Sequence, residues 1–313
     1  MTRAVASIAT MGGRPVGRSP HSNASRFAWS LLLPAMTVLL IMSVAPAIYL
    51  FYVSFRHENL LGPGSGFVGL QNYVRVFSSA ENWTGAGSTF LFVAISVSIE
   101  LGFGLGLALL LNRKLPETNL LAALFILPLG IAPVVSALVF RVLLDPAYGW
   151  VDYYLQAWGI IAEPIDWLGQ PFTAWVAVVG LDVWQWTPFI ALILLAGLGG
   201  VPAEPKEAAM LDGAGAVRLF WHITLPFLRP FIAIAFVLRT IEAFKTFGSI
   251  FVLTNGGPGS STEVINLDIY RIALQNFDVG AAAALGIVFL LVLSLITKQL
   301  LSVLGRSTDI LED

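Results

Sequence analysis

The sequence predicts an all-α membrane protein with about six transmembrane helices. Three observations point there. Of the 313 residues, 57% are hydrophobic and only 12% charged, where a soluble chain runs about 45–50% apolar and about 25% charged. Mean hydropathy is +0.82, so a soluble domain of this composition could not cover its surface with polar groups. Six stretches reach the roughly 20 mostly apolar residues that cross a hydrocarbon core. Segments rich in Gly, Pro, Asn and Asp separate them, which are loop signals.

The first span runs over 27–55 and carries no charge. The second, 89–111, carries only Glu100, and the third covers 120–140. The fourth, 172–201, carries only Asp182. The fifth, 231–253, carries Arg239, Glu242 and Lys245, and the sixth covers 279–297. Pro34, Pro46, Pro128, Pro133 and Pro188 fall inside spans, where prolines are tolerated and often kink the helix. Gly102, Gly104 and Gly106 alternate in the second span and read as a close helix contact. The transmembrane domain is thus expected over 27–304, between a mobile tail at 1–26 and a short tail at 305–313.

Orientation follows from Lys and Arg in the loops. With the N-terminus inside, the inner face carries Arg3, Arg14, Arg18, Arg26, Arg113, Lys114, Lys206, Arg218, Arg229, Lys298 and Arg306, against Arg56, Arg75 and Arg271 outside. Both termini are then cytoplasmic. The basic N-terminal segment resembles the start of a signal peptide, but the apolar run behind it is about twice the length of a signal core. An uncleaved first helix is expected.

Several function classes drop out. Net charge is −2, without the clustered Lys and Arg that phosphate backbones require, so nucleic acid is not an expected partner. The chain has no cysteine, which removes disulfides, thiolate metal sites and thiol catalysis. His21, His57 and His222 make no plausible catalytic triad. None of the lysines (114, 206, 245 and 298) follows a glycine in a phosphate-binding loop, so ATP binding by that route is not expected.

The inner segment 203–226 is more informative. Pro202 and Pro205 suit a helix start, and Glu204 and Glu207 favour its positive end. Gly213 and Gly215 end that helix and permit a left-handed turn. A second short helix is expected to follow, with Pro226 stopping it before the fifth span. Geometry alone gives a helical elbow, equally consistent with a partner-free interfacial helix and with a docking surface.

The elbow resembles the EAA motif of permease subunits in ATP-binding-cassette importers. That pattern is Glu-Ala-Ala, three residues, Gly, nine residues, Ile, one residue, Leu-Pro. Here Glu207, Ala208, Ala209, Gly213, Ile223, Leu225 and Pro226 match every position and both gaps, and Asp212 fits a common extension. The resemblance implies a type I importer transmembrane domain whose elbow is a coupling helix. It assigns docking on an ATPase subunit to Glu207, Ala208, Ala209, Asp212 and Gly213. It also implies that ATP and Mg belong to that ATPase, that no cofactor is bound by this chain, and that the setting is the bacterial cytoplasmic (inner) membrane. Expected partners are two ATPase subunits, a second homologous permease, an extracytoplasmic solute-binding protein and membrane lipid.

A second stretch, Val252-Leu253-Thr254-Asn255-Gly256-Gly257-Pro258-Gly259, followed by Ser261-Thr262-Glu263 and Ile269-Tyr270-Arg271, resembles carbohydrate-uptake permeases of the maltose and glycerol-phosphate first-subunit type. Asn255 departs from the glycine usual there. This implies a sugar or sugar-like solute.

Ionisable groups inside a span are costly and invite a functional reading. Arg239, Glu242 and Lys245 lie three apart, near one helix face. They read either as an internally paired cluster or as a polar lining of the solute pathway. Asp182, Trp184, Gln185 and Thr187 carry the same two readings, since sugars suit an aromatic face with hydrogen-bonding neighbours; Asn255 joins them as a pathway candidate. Glu100 is expected to find a partner on another span. The alternative to an ATP-driven importer is an ion-gradient-driven transporter using Glu242 or Asp182 as the coupling carboxylate. A membrane-embedded enzyme or assembly factor is the third reading.

Overall fold

The computed structural model describes residues 21–62, 66–113 and 118–309. Residues 1–20 of the N-terminal tail, 63–65, 114–117 and the last four residues lie outside them. The chain divides into two compact units, 1–50 and 51–313. In the first unit, α1 (His21–Ser54, its last turn belonging to the second unit) carries Pro34 and Pro46 within it. Its 26 residues from Trp29 to Ser54 have a mean hydropathy of 2.3.

The second unit opens with a small two-stranded sheet. β1 (Arg56–His57) pairs antiparallel with β2 (Gly66–Phe67), Arg56 opposite Phe67. The short helix α2 (Gln71–Ser78) is tied beneath it by buried Asn72, whose amide donates to the Ser54 and Arg56 carbonyls at 2.8 Å each. Helix α3 (Ala80–Leu111) begins nine residues before the expected span, because Ser79 caps it, accepting from the Asn82 N–H.

The third span is broken. α4 (Thr118–Ile126) leads into a tight turn at Leu127–Gly130, and α5 (Pro133–Leu143) leaves it bent by 103°. Pro133 is the cause on the sequence side. It forces Ala132 into an extended conformation (ψ 135) and cannot continue the preceding ladder. The short helix α6 (Trp150–Ala157) follows, then α7 (Pro171–Gly199) with proline at its first position. α8 (Ala203–Leu211) and α9 (Ala216–Leu219) form the elbow.

Pro226 does not stop a helix. A π-turn at Phe220–Thr224 joins α9 to α10 (Leu225–Phe244), and the wider turn accommodates the N–H that proline lacks. The fifth span breaks instead at Lys245–Phe247, before α11 (Gly248–Leu253). Asn266, on α12 (Ile265–Leu274), donates its side-chain amide to the freed Phe244 and Thr246 carbonyls at 2.9 and 3.0 Å. α13 (Val279–Asp309) closes the chain and takes in residues 305–309. Among the described residues, five helices are long and apolar enough to cross a membrane, or six if the bent pair crosses as one.

The core joins α3 and α7 through Phe92, Val97, Val178 and Leu181, with Leu253 and Leu267 from the later helices. A second cluster, Ala108, Ile190, Leu194 and Leu228, continues it toward the elbow. Gly104 sits at the α3–α7 contact, where a Cβ would meet the Ile190 methyl at 2.6 Å. Gly102 and Gly106 have open space beside them, so the close contact rests on one glycine of the three.

Candidate functional site

The elbow is built from local rules. Glu204 lies in the first turn of α8, where its charge opposes the helix dipole. Gly213 takes φ +80, a left-handed conformation that costs a Cβ-bearing residue about 1–2 kcal/mol. The Ala214 N–H donates to the Ala209 carbonyl at 2.9 Å and the Gly213 N–H to Met210 at 3.0 Å. That paired arrangement is a Schellman end, so the helix terminates with its last carbonyls satisfied. No side chain of α8 is buried. Glu207, Ala208, Asp212 and Gly213 are exposed and Ala209 partly so. Leu211 is 90% exposed, with Met210, Val217 and Trp221 exposed around it. An apolar rim bordered by Glu207 and Asp212 is a surface suited to a protein partner, and neither Met210 nor Leu211 was singled out by the motif.

Deep between the spans lies a charge cluster. The Arg239 guanidinium donates Nε to Glu100 at 2.6 Å and Nη2 to the other Glu100 oxygen at 3.0 Å. Nη2 also donates to Asp182. The guanidinium stacks over Trp186 at 4.9 Å from the ring centroid. Arg239, Glu100 and Asp182 are 1%, 0% and 5% exposed. One cation thus ties α3, α7 and α10, and Glu100 has the cross-span partner expected for it. Burying these charges is tolerable only because each is hydrogen-bonded.

The other intramembrane candidates separate from this cluster. Glu242 and Lys245 pair with each other at 2.6 Å, their side chains about half exposed at the end of α10. Arg239 pairs with Glu100 and Asp182 instead. Gln185 donates to the Ile131 carbonyl at 2.7 Å, which would otherwise be orphaned at the bend between α4 and α5. Trp184 is 41% exposed and tilts against Phe140. The Thr187 hydroxyl is buried without a partner among the described residues. Asn255 takes φ 50 and is exposed, and its carbonyl accepts from Arg271 at 2.6 Å.

Arg271 also binds Glu263. Beside them Asp268 presses its carboxyl onto Gly85 of α3, where only a glycine fits. Burial pushes the Asp268 carboxyl up to about 8, with Glu263 adding to the rise and Arg271 opposing it. No sequence signal marks Asp268, which stands in a short helix of ordinary amphipathic pattern.

The family model described as binding-protein-dependent transport system inner membrane component matches residues 100–310. The chain is 38% identical over 271 residues to the trehalose/maltose transport system permease protein MalF of Thermococcus litoralis, covering 86% of this chain and 91% of that protein. It is 34% identical over 280 residues to the sulfoquinovosyl glycerol transport system permease protein SmoG of Agrobacterium fabrum, covering 89% and 90%. A chain in the crystal structure of a bacterial ABC transporter involved in import of the acidic polysaccharide alginate superposes with a TM-score of 0.80 at 24% identity, covering 91% and 97%. That likeness speaks for the fold.

Proposed function

Because the chain belongs to the family of binding-protein-dependent inner-membrane transport components, we propose that it forms half of the solute pathway of an ATP-driven importer for a sugar or sugar-like solute. It is a multi-pass transport subunit, not an enzyme. The observation that carries the reading is the elbow: a complete motif from Glu207 to Pro226, ending in a Schellman turn and burying none of its first helix. Glu207, Ala208, Ala209, Asp212 and Gly213 form the docking face for a separate ATPase, which holds the ATP and Mg. A second homologous permease completes the pathway, and a solute-binding protein delivers the solute from outside. Nucleotide and solute shift the pore between two states only through their differing affinities for each.

The elbow faces the cytoplasm. With a cytoplasmic N-terminus this needs four crossings before residue 203, namely α1, α3, the bent pair α4–α5 as one, and α7. α10 and α13 then return the C-terminus inside. Arg141, in the last turn of α5, adds a fourth basic residue to the outer side and leaves the asymmetry intact.

Within carbohydrate importers, the loop at 252–259 and the identity to MalF support a reading as the maltose and glycerol-phosphate type. For the pathway, Trp184, Thr187, Glu242, Lys245 and Asn255 are the candidates for direct solute contact. Asp182 and Gln185 are already engaged with Arg239 and Ile131, and would act on the pathway by fixing its walls.

The test is co-purification and uptake. The full chain should bring down an ATPase subunit, and Gly213→Asp should remove that contact while the protein still inserts. Uptake that continues without any ATPase and collapses with an uncoupler would instead establish the ion-gradient transporter.

A further inference from the structure

The segment 144–170 joins the end of α5 to the start of α7, and the elbow follows the other end of α7. The segment therefore lies on the membrane face opposite the elbow. Its helix α6 is firmly seated on one side. Asp152, 3% exposed, accepts from the Ile165 N–H at 3.1 Å and from the Trp167 indole N–H at 2.8 Å. Val151 packs against the main core. Gly149, at the helix cap, lies so close to the Leu143 and Asp145 backbone that no Cβ fits there, so the end of α5 fixes the entry of α6.

With that side committed, the other side shows Trp150, Tyr153, Tyr154 and Trp158, at i, i+3, i+4 and i+8. Trp150, Tyr153 and Trp158 are each about two-thirds exposed or more. Tyr154 meets Tyr153 and Trp158 at centroid distances of 5.3 and 5.8 Å, so these rings pack on one another. Trp150, Tyr153 and Tyr154, with Tyr148 and Pro146, border an open cavity of about 430 Å³. The helices that precede and follow the segment expose apolar side chains as well: Val135, Leu138 and Val142 of α5 and Phe172 of α7. Tyr and Trp combine an apolar ring with one polar tip, which suits the boundary between hydrocarbon and water. Residues 144–170 hold Asp145, Asp152, Glu163 and Asp166 and no Lys or Arg, so anionic headgroups are repelled.

We propose that α6 is an interfacial foot that seats its Trp150, Tyr153, Tyr154 and Trp158 face among zwitterionic phospholipid headgroups, on the membrane side opposite the elbow. The foot holds the end of α5, and with it the 103° bend, at a fixed depth. This inference does not depend on which solute is carried or on what drives transport.

The absence of native cysteine makes the test direct. Tyr153→Cys, Trp158→Cys and the water-facing control Glu163→Cys are spin-labelled in the full chain, purified with whatever subunits accompany it, and reconstituted in phosphatidylcholine vesicles. The labels at 153 and 158 should show an oxygen-to-nickel-chelate accessibility ratio several-fold above that at 163. Replacing half the lipid with phosphatidylglycerol should lower the ratio at 158. Labels at 153 and 158 as nickel-accessible as 163 would overturn the proposal in favour of a water-bathed surface open to saccharide or to a docking protein. Labels shielded from both reagents would overturn it in favour of a neighbouring chain. A ratio indifferent to phosphatidylglycerol would remove the headgroup preference. Trp158→Phe, which keeps an aromatic ring but loses the indole N–H, reports separately on folding through its thermal midpoint.

Discussion

Arg239 answers two carboxylates with a single guanidinium, at 1% exposure. Arg239→Ala would leave Glu100 and Asp182 buried without a counter-charge, and breaking such a cluster costs about 3–5 kcal/mol. Denaturant unfolding of the purified protein should register that loss, and adding Glu100→Gln and Asp182→Asn should recover most of it. The sequence marked all three residues as expensive but could not pair them, because the partners stand 139 and 57 positions apart. Spacing pointed to Glu242 and Lys245 as neighbours of Arg239, and helix periodicity alone could not tell that Arg239 turns inward while they pair at the surface. Asp268 calls for a different measurement. Its folded carboxyl, held up to about 8, keeps its proton more tightly than the unfolded chain does. Its contribution to stability is therefore full in acid and lost as pH rises from the ordinary carboxylate range to about 8, with no further change above. Thermal midpoints at pH 5 and pH 8 should differ less in Asp268→Asn than in the parent.

Among the elements, the α3–α7 contact and the two broken spans decide the packing of the second unit. Gly104→Ala would drive a methyl into Ile190, and overpacking of this kind costs about 1–3 kcal/mol. Gly102→Ala, facing open space, should stay within about 0.5 kcal/mol of the parent; paired thermal midpoints check both. The break in the third span was legible in outline, since Pro128 and Pro133 are visible in the sequence. The break at Lys245–Phe247 was not, because it contains no proline and lies within an apolar window. Its stabilising contact comes from Asn266, on another helix. Asn266→Leu would orphan the Phe244 and Thr246 carbonyls, at about 1–3 kcal/mol for an unsatisfied buried group, and should raise amide exchange at residues 244–249. Pro226 misled for a related reason: a proline stops a helix only when the turn before it cannot widen.

For the whole molecule, composition and the inner-face charge excess were enough for a helical membrane protein, because bilayer insertion is written in local apolarity. The elbow was legible because it is a continuous segment whose turn chemistry stands in the sequence; the coupling role proposed for it rests on the resemblance of residues 207–226 to the family motif. The solute was not, because a pathway is assembled from side chains of several helices and of a second subunit. Uptake into vesicles containing the assembled complex should require ATP and the solute-binding protein together, and should be indifferent to a proton uncoupler. Since α8 contributes no buried side chain, the stretch from 203 to 215 is tied to its fold mainly by the left-handed turn at Gly213, and its remaining surface positions are open to a partner's demands. As the proposed docking face it would serve as an exchangeable plug: transplanting it between related permeases would re-address a channel to a different motor without rebuilding the channel, and a lineage could trade motors by drift in a dozen surface positions.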